Sequence, residues 1–187
     1  MPRRKPKKIF RLKVTLDEVT PPVWRRVLVD ADITLARLHR ILQAAMGWTD
    51  SHLHCFEVGG RRFGMVDLEE DDDDLEDERR VKLSAVLSRK GATLIYTYDY
   101  GDSWDHLVLL EEIAEPDSRH CYPLCIAGAR ACPPEDCGGA GGYEELVRVL
   151  GSPSDEEYDS MITWLCGHFE PNSFDTNAVN RSFRFMR

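Results

Sequence analysis

"IFRLKVTLDEVTPPVWRRVLVDADITLARLHRILQAAMG", residues 9–47, runs through two strand patterns and a helix pattern, and that succession decides the fold class. Over 9–16, Phe10, Leu12, Val14 and Leu16 alternate with Arg11 and Lys13, the period-two signature of a strand with one buried face. "TPP" breaks it. Residues 23–29 then form a second strand, with Val23, Val27 and Val29 on one side, and the two make a hairpin. Beyond it Leu35, Leu38, Leu42 and Ala45 recur at helical spacing, and Ile41 and Met46 widen the stripe. Thr34 is the expected N-cap, Ile33 and Leu38 hold hydrophobic-staple positions, and Gly47 suits the left-handed position past the end.

Working outward, "SHLHCFEVGGRRFGM" (51–65) reads as strand, Gly59-Gly60 turn and returning strand, and "LSAVL" (83–87) as a helical turn. Residues 93–112 read as a second hairpin. The segment 114–142 is rich in Pro, Gly and Cys without periodicity and is expected to be an irregular excursion. Tyr143, Leu146, Val147 and Leu150 share a helix face over 143–150. Ser154 and Glu157 predict a capping box for the next helix, and Asp175 the cap of a last one. Strands and helices mix without regular βαβ alternation, which predicts an α+β fold with a largely antiparallel sheet.

A chain of 187 residues with 42% apolar composition supports one core, expected over 9–187 behind a basic flexible arm at 1–8. The net charge of −9 is local: "DLEEDDDDLEDE" (67–78) carries ten carboxylates, and the remainder sums to +1. Such a block predicts a solvated, mobile acidic loop over 67–80. No stretch approaches the ~18–20 apolar residues that span a bilayer, and no signal-peptide pattern follows Met1, so the expected location is cytoplasmic, with no membrane partner. In a reducing compartment, clustered cysteines point to metal or buried thiols rather than disulfides. Cys121, Cys125, Cys132 and Cys137 cluster in the 114–142 segment, whereas Cys55 and Cys166 read as core thiols.

Three constellations carry candidate chemistry. His52 and His54 would point to the same face of a strand and could converge on one ion. In "YTYDYGDSWDHLVLLEE" (96–112), a two-residue loop would set Asp99 against Trp104 and diagonal to His106; a three-residue loop would set Tyr98 beside His106 instead. Asp102 there reads as a turn residue or as a catalytic carboxylate. In "CYPLCIAGARACPPEDCGG", two prolines present Glu135 and Asp136 side by side, a divalent-metal arrangement or a helix-entry turn. The four cysteines there are an alternative structural zinc set, although their spacing lacks the usual C-x2-C pairs. P-loop, dinucleotide and α/β-hydrolase signatures are absent.

The ordered set "PPVWRRVLV", "LHRILQAAMGWTDSHLHCFEV", "YDYGDSWDHLVLLE", "ACPPEDCGGAGGY" and "FDTNAVNR" resembles the plasmid pRiA4b ORF-3-like protein family, from about residue 8 to 182. The resemblance implies a single-domain α/β roll, with a curved sheet and packed helices, and a setting on plasmids and beside insertion elements. It carries no catalytic assignment. It marks Trp48, His52, His54, Asp99, Gly101, Asp102, Trp104, His106, Cys132 to Asp136, Gly138, Gly139 and Tyr143 as family-motif positions, and fits Cys125 and Cys132 better than Cys121 and Cys137.

Two functions follow as expectations. One is a divalent-metal site, zinc first, built from His52, His54 and His106 with Asp99, Asp102, Glu135 or Asp136, and suited to hydrolysis. The other is a non-enzymatic binding module in mobile-element biology, with a protein partner favoured over nucleic acid because the body is near neutral.

Overall fold

The computed structural model describes residues 7–66 and 74–186. The expected hairpin forms from β1 (Ile9–Leu16) and β2 (Trp24–Asp30), paired antiparallel with Leu12 opposite Val27 and Val14 opposite Arg25. The helix α1 (Leu35–Met46) begins where Thr34 accepts a hydrogen bond from the Arg37 N–H, and ends at Gly47, whose φ is 110°. The strands β3 (His54–Val58) and β4 (Arg61–Gly64) follow, then β5 (Leu75–Asp77) and the short helix α2 (Leu83–Val86). The second hairpin is β6 (Thr93–Tyr98) and β7 (Trp104–Ala114). After β8 (Leu124–Ala129) come α3 (Gly139–Leu150), α4 (Tyr158–Trp164) and α5 (Thr176–Phe185).

Among the described residues the eight strands form one sheet in the order β5-β4-β3-β6-β7-β1-β2-β8, antiparallel throughout except for the β4–β5 pair. One face carries the buried residues: Phe10, Leu12, Val14 and Leu16 from β1, Leu94, Tyr96 and Tyr98 from β6, and Trp104, Val108 and Leu110 from β7. These join Leu35, Leu38, Ile41 and Leu42 of α1 and Phe183 of α5 in one core cluster. The other face leaves Ile95 and Leu107 exposed. The molecule is a single α+β domain.

Several details depart from the sequence reading. The segment 114–142 is not wholly irregular: β8 pairs with β2 along the sheet edge, with a register shift between Arg26 and Val27. Its residues, Leu-Cys-Ile-Ala-Gly-Ala, are too small and too mixed to show a period. The end of the acidic run is ordered as β5, with Glu78 just beyond it buried, while residues 67–73 lie outside the described residues. So do residues 1–6 of the basic arm; Lys8 pairs with Glu115. The capping box is not used: α4 starts at Tyr158 after Glu157, with no side-chain cap bond. Cys55 is buried as expected but Cys166 is exposed, because the apolar residues beside it belong to the surface end of α4. Among the described residues no helix is long and apolar enough to cross a membrane.

Candidate metal centre

The β6–β7 connection spans residues 99–103, longer than either hairpin loop expected from the sequence, and Tyr98 lies opposite Trp104 and Tyr96 opposite His106. Asp99 opens the turn at φ 58°, a left-handed conformation that Asp tolerates better than most residues. Its carbonyl accepts from the Ser103 N–H at 2.6 Å and its Oδ1 from the Gly101 N–H at 2.9 Å. Its own N–H donates to the Leu53 carbonyl at 2.9 Å, which ties the turn to the segment entering β3. The carboxylate is therefore held, with Oδ2 3.7 Å from Nε2 of His52.

The Pro133-Pro134 segment brings two more carboxylates to the same nitrogen. Trp48 Nε1–H donates to the Pro133 carbonyl at 3.0 Å, which fixes the segment against the core. Asp136, at φ 56°, sets Oδ1 3.2 Å from His52 Nε2, and Glu135 Oε2 lies at 3.9 Å. Glu135 is restrained further: its Oε1 accepts from the Thr49 N–H at 2.8 Å, and the Tyr98 hydroxyl lies 3.1 Å from that oxygen. Burial, opposed by the Ser51 N–H bond and reinforced by the Glu135 charge, pushes the Tyr98 pKa up to about 12, so the hydroxyl stays a neutral donor. Asp102 stands one layer behind, its Oδ2 accepting from the Gly138 N–H at 3.1 Å. It ties the turn to the Asp136 loop.

His52 Nε2 is itself buried, yet no hydrogen bond reaches it among the described residues. Three carboxylates surround it at 3.2–3.9 Å without an aligned bond. Two atoms that share a tetrahedral zinc at about 2.0–2.1 Å stand about 3.3 Å apart; Asp136 is at that spacing from His52, Asp99 lies a little beyond it, and the three ligand atoms are within 4.8 Å of one another. Asp136 is mostly exposed and Asp99 mostly buried, which leaves the group open on one side.

The two histidines of His52-Leu53-His54 separate. His52 precedes β3 rather than lying in it, and His54 turns to a second group. There His54 Nε2 meets Glu78 at 2.8 Å, and its ring stacks on His39 with centroids 3.5 Å apart and planes 4° from parallel. His39 Nε2 lies 2.7 Å from Asp50 and Nδ1 2.8 Å from the Tyr96 hydroxyl. Since the carboxylate accepts, Nε2 carries the proton and Nδ1 accepts from Tyr96. Tyr96 in turn accepts from Gln43 Nε2, and Gln43 Oε1 accepts from the Asp50 N–H, which closes a ring of four bonds. Burial, with His54 adding to it, lowers the His39 pKa and keeps the ring neutral. One ligand atom from each of His39, Asp50 and His54 lies within 4.8 Å of the others. An imidazole lone pair lies in the ring plane, however, and two parallel planes this far apart share no point at which one ion could bind both. As placed, this group is a hydrogen-bonded network.

His106 stands apart from both groups. It is fully buried, with Nδ1 2.9 Å from the Trp104 carbonyl and 3.1 Å from the Tyr96 carbonyl, so Nδ1 holds the proton. Burial lowers its pKa to about 4. Cys121 is exposed, Cys125 is buried on β8, and no group of three metal-type ligands among the described residues contains a cysteine. Burial raises the Cys125 and Cys132 thiols and pushes Cys137 up to about 12, so all three are held as thiols.

His39, Asp50 and Glu78 were not singled out from the sequence. Their signal was there: His39 and Gln43 are polar residues four apart that fall on the buried side of α1, where an apolar helix face has no use for them. His39, Asp50, His54 and Glu78 line one cavity of about 610 Å³, and of the first group only His52 reaches its wall.

A single largely antiparallel sheet packed on helices, with a histidine–carboxylate group where the β6–β7 turn meets a proline-fixed loop, defines an α+β domain with a candidate ion site. The chain belongs to the plasmid pRiA4b ORF-3-like protein family, whose family model matches residues 8–178. It is 41% identical over 174 residues to the uncharacterized protein y4hQ of Sinorhizobium fredii, covering 93% of this chain and 87% of that one. It is 38% identical to MM3350 of Methanosarcina mazei Go1, whose crystal structure is titled a protein of unknown function. That likeness has a TM-score of 0.85 and covers 94% of this chain and 98% of the other.

Proposed function

We propose that the protein binds one divalent cation, zinc first, through His52, Asp99 and Asp136, and that the site serves a hydrolytic reaction. The observation that carries this reading is the buried His52 Nε2, unbonded and ringed by carboxylates at ligand-like spacing. Three protein ligands with an open side are the pattern of catalytic rather than structural zinc, because water or substrate takes the fourth position. Glu135, held by Thr49 and Tyr98 with Oε2 3.9 Å from His52 Nε2, would serve as the general base for water on such an ion.

Elemental analysis of protein purified without chelator or metal-affinity resin tests it. We expect about one ion per chain in the wild type, none in His52→Ala, less in Asp99→Asn, and wild-type content in Cys132→Ala. Equal content in the wild type and His52→Ala would sink the reading. Loss in Cys132→Ala alone would return the ion to the cysteine set.

A further inference from the structure

Val23, just before β2, and Arg25, Val27 and Val29 within it are buried in phase, so one arginine occupies a position its neighbours give to valine. Arg25 is 2% exposed. Its Nε donates to the Ala45 carbonyl in the last turn of α1, and its Nη1 to the carbonyls of Trp24 and Ala129, each at 2.9 Å. The Phe174 ring covers the guanidinium at 4.3 Å, and Gly128, opposite Arg25 in β8, leaves room for it: a Cβ there would lie 2.5 Å from Phe174. The hydrogen bonds of Arg25 among the described residues all go to carbonyls and use Nε and Nη1, which leaves Nη2 for another acceptor.

A buried guanidinium is ordinarily matched by a carboxylate, because desolvating the charge is costly. The carbonyls and the negative end of α1 offset part of that cost and hold the group rigidly. The full charge and one N–H pair remain unmatched, and Arg25 lines a cavity of about 560 Å³. Its walls are otherwise largely apolar, with Trp48, Pro133, Phe169, Phe174 and Val179. Glu135 and Asp175 also reach this cavity, but the first is bound by Thr49 and Tyr98, and the second caps α5 and pairs with Arg181.

We propose that Arg25 anchors a binding site for a small organic carboxylate with a flat, aromatic body. The volume falls among small-molecule sites, roughly 300–1,000 Å³. A carboxylate suits the single free nitrogen better than a phosphate, whose remaining charged oxygens would meet apolar walls. The aromatic body matches Trp48 and Phe174. The inference uses none of the three proposed ion ligands, although Glu135 borders both places, and its test is run in EDTA so that the two readings fail separately.

The full chain is titrated with benzoate, with benzyl alcohol (same body, no charge) and with inorganic phosphate (charge, no body). The indole N–H resonance of Trp48, assigned by its disappearance in Trp48→Phe, reports binding. We expect a saturable shift with benzoate, and affinity at least about tenfold weaker for each of the other two. Arg25→Gln should lose benzoate binding by a similar factor. Should that variant fail to fold, Ala178→Phe, which fills the cavity and leaves Arg25 in place, should abolish it. The proposal is overturned by equal affinity for benzyl alcohol, by equal affinity for phosphate, by no saturable shift into the millimolar range, or by benzoate binding that survives Ala178→Phe.

Discussion

An imidazole enclosed by aromatic rings and bonded only through Nδ1 is held neutral by its surroundings, and His106 sits this way, with Trp48 edge-on at 5.3 Å and Tyr96 tilted at 5.3 Å. Burial takes its pKa from 6.5 to about 4. The folded value is below the unfolded one, so protons favour the unfolded chain. The stabilisation is complete above about pH 6.5 and is lost as the pH falls towards 4, by about 3 kcal/mol in all. We therefore expect urea midpoints to drop between pH 7 and pH 4.5 with a clear share from this residue. His106→Gln should lose about 1–3 kcal/mol at pH 7 through its carbonyl bonds, and decline less on acidification. Parallel pH curves for the two proteins would remove His106 as the source. At this scale the sequence named the right residue types but not their roles: His106 and Asp99 follow from a hairpin pattern, while their partners depend on where a five-residue turn points.

The elements that bring the site together are two loops, joined by Asp102 and Gly138. Gly139 stands where only glycine fits: its φ is 68°, and a Cβ would lie 2.7 Å from the Asp102 carbonyl. Asp102→Ala should leave the sheet intact and weaken ion binding about 10- to 100-fold, as losses of supporting contacts do. Gly139→Ala should act in the same direction through displacement of the loop. Isothermal titration of both variants decides it, and unchanged affinity in both would separate the turn from the site. At the opposite edge, Asn180 of α5 bonds both the N–H and the carbonyl of Cys125 at 2.8 Å, covering a strand that would otherwise offer an open edge. Asn180→Ala should cost roughly 1–3 kcal/mol and speed amide exchange at Cys125. Unchanged exchange there would show that β8 is held by β2 alone. Hairpins, α1 and the Asp175 cap were legible because period and capping chemistry are local. β5 and β8 were not: one is three residues long within a charge run, the other is built of small residues, and both exist because a neighbouring strand needed a partner.

Across the whole molecule the proposed ion site draws His52, Asp99 and Asp136 from segments that only the finished sheet brings together. The chain before β3, the β6–β7 turn and the loop before α3 meet because β3 and β6 are neighbours and the Asp136 loop packs on Trp48. A sequence could suggest the residue types; it could not show that His54 and His106 would face other partners, because that follows from which strands adjoin. The same non-local assembly sets a thermodynamic consequence. The unfolded chain has no such site, so any ion the site binds must stabilise the folded state by mass action. At an ion concentration about 100 times Kd the gain is about 2.7 kcal/mol, which for a chain of this size raises Tm by roughly 5–10 °C. We expect that rise with zinc in the wild type and its absence in His52→Ala, with the two proteins melting together in EDTA. A rise of equal size in both would mean that zinc acts elsewhere on the folded chain, and the His52 group would then be a polar turn contact rather than a ligand set.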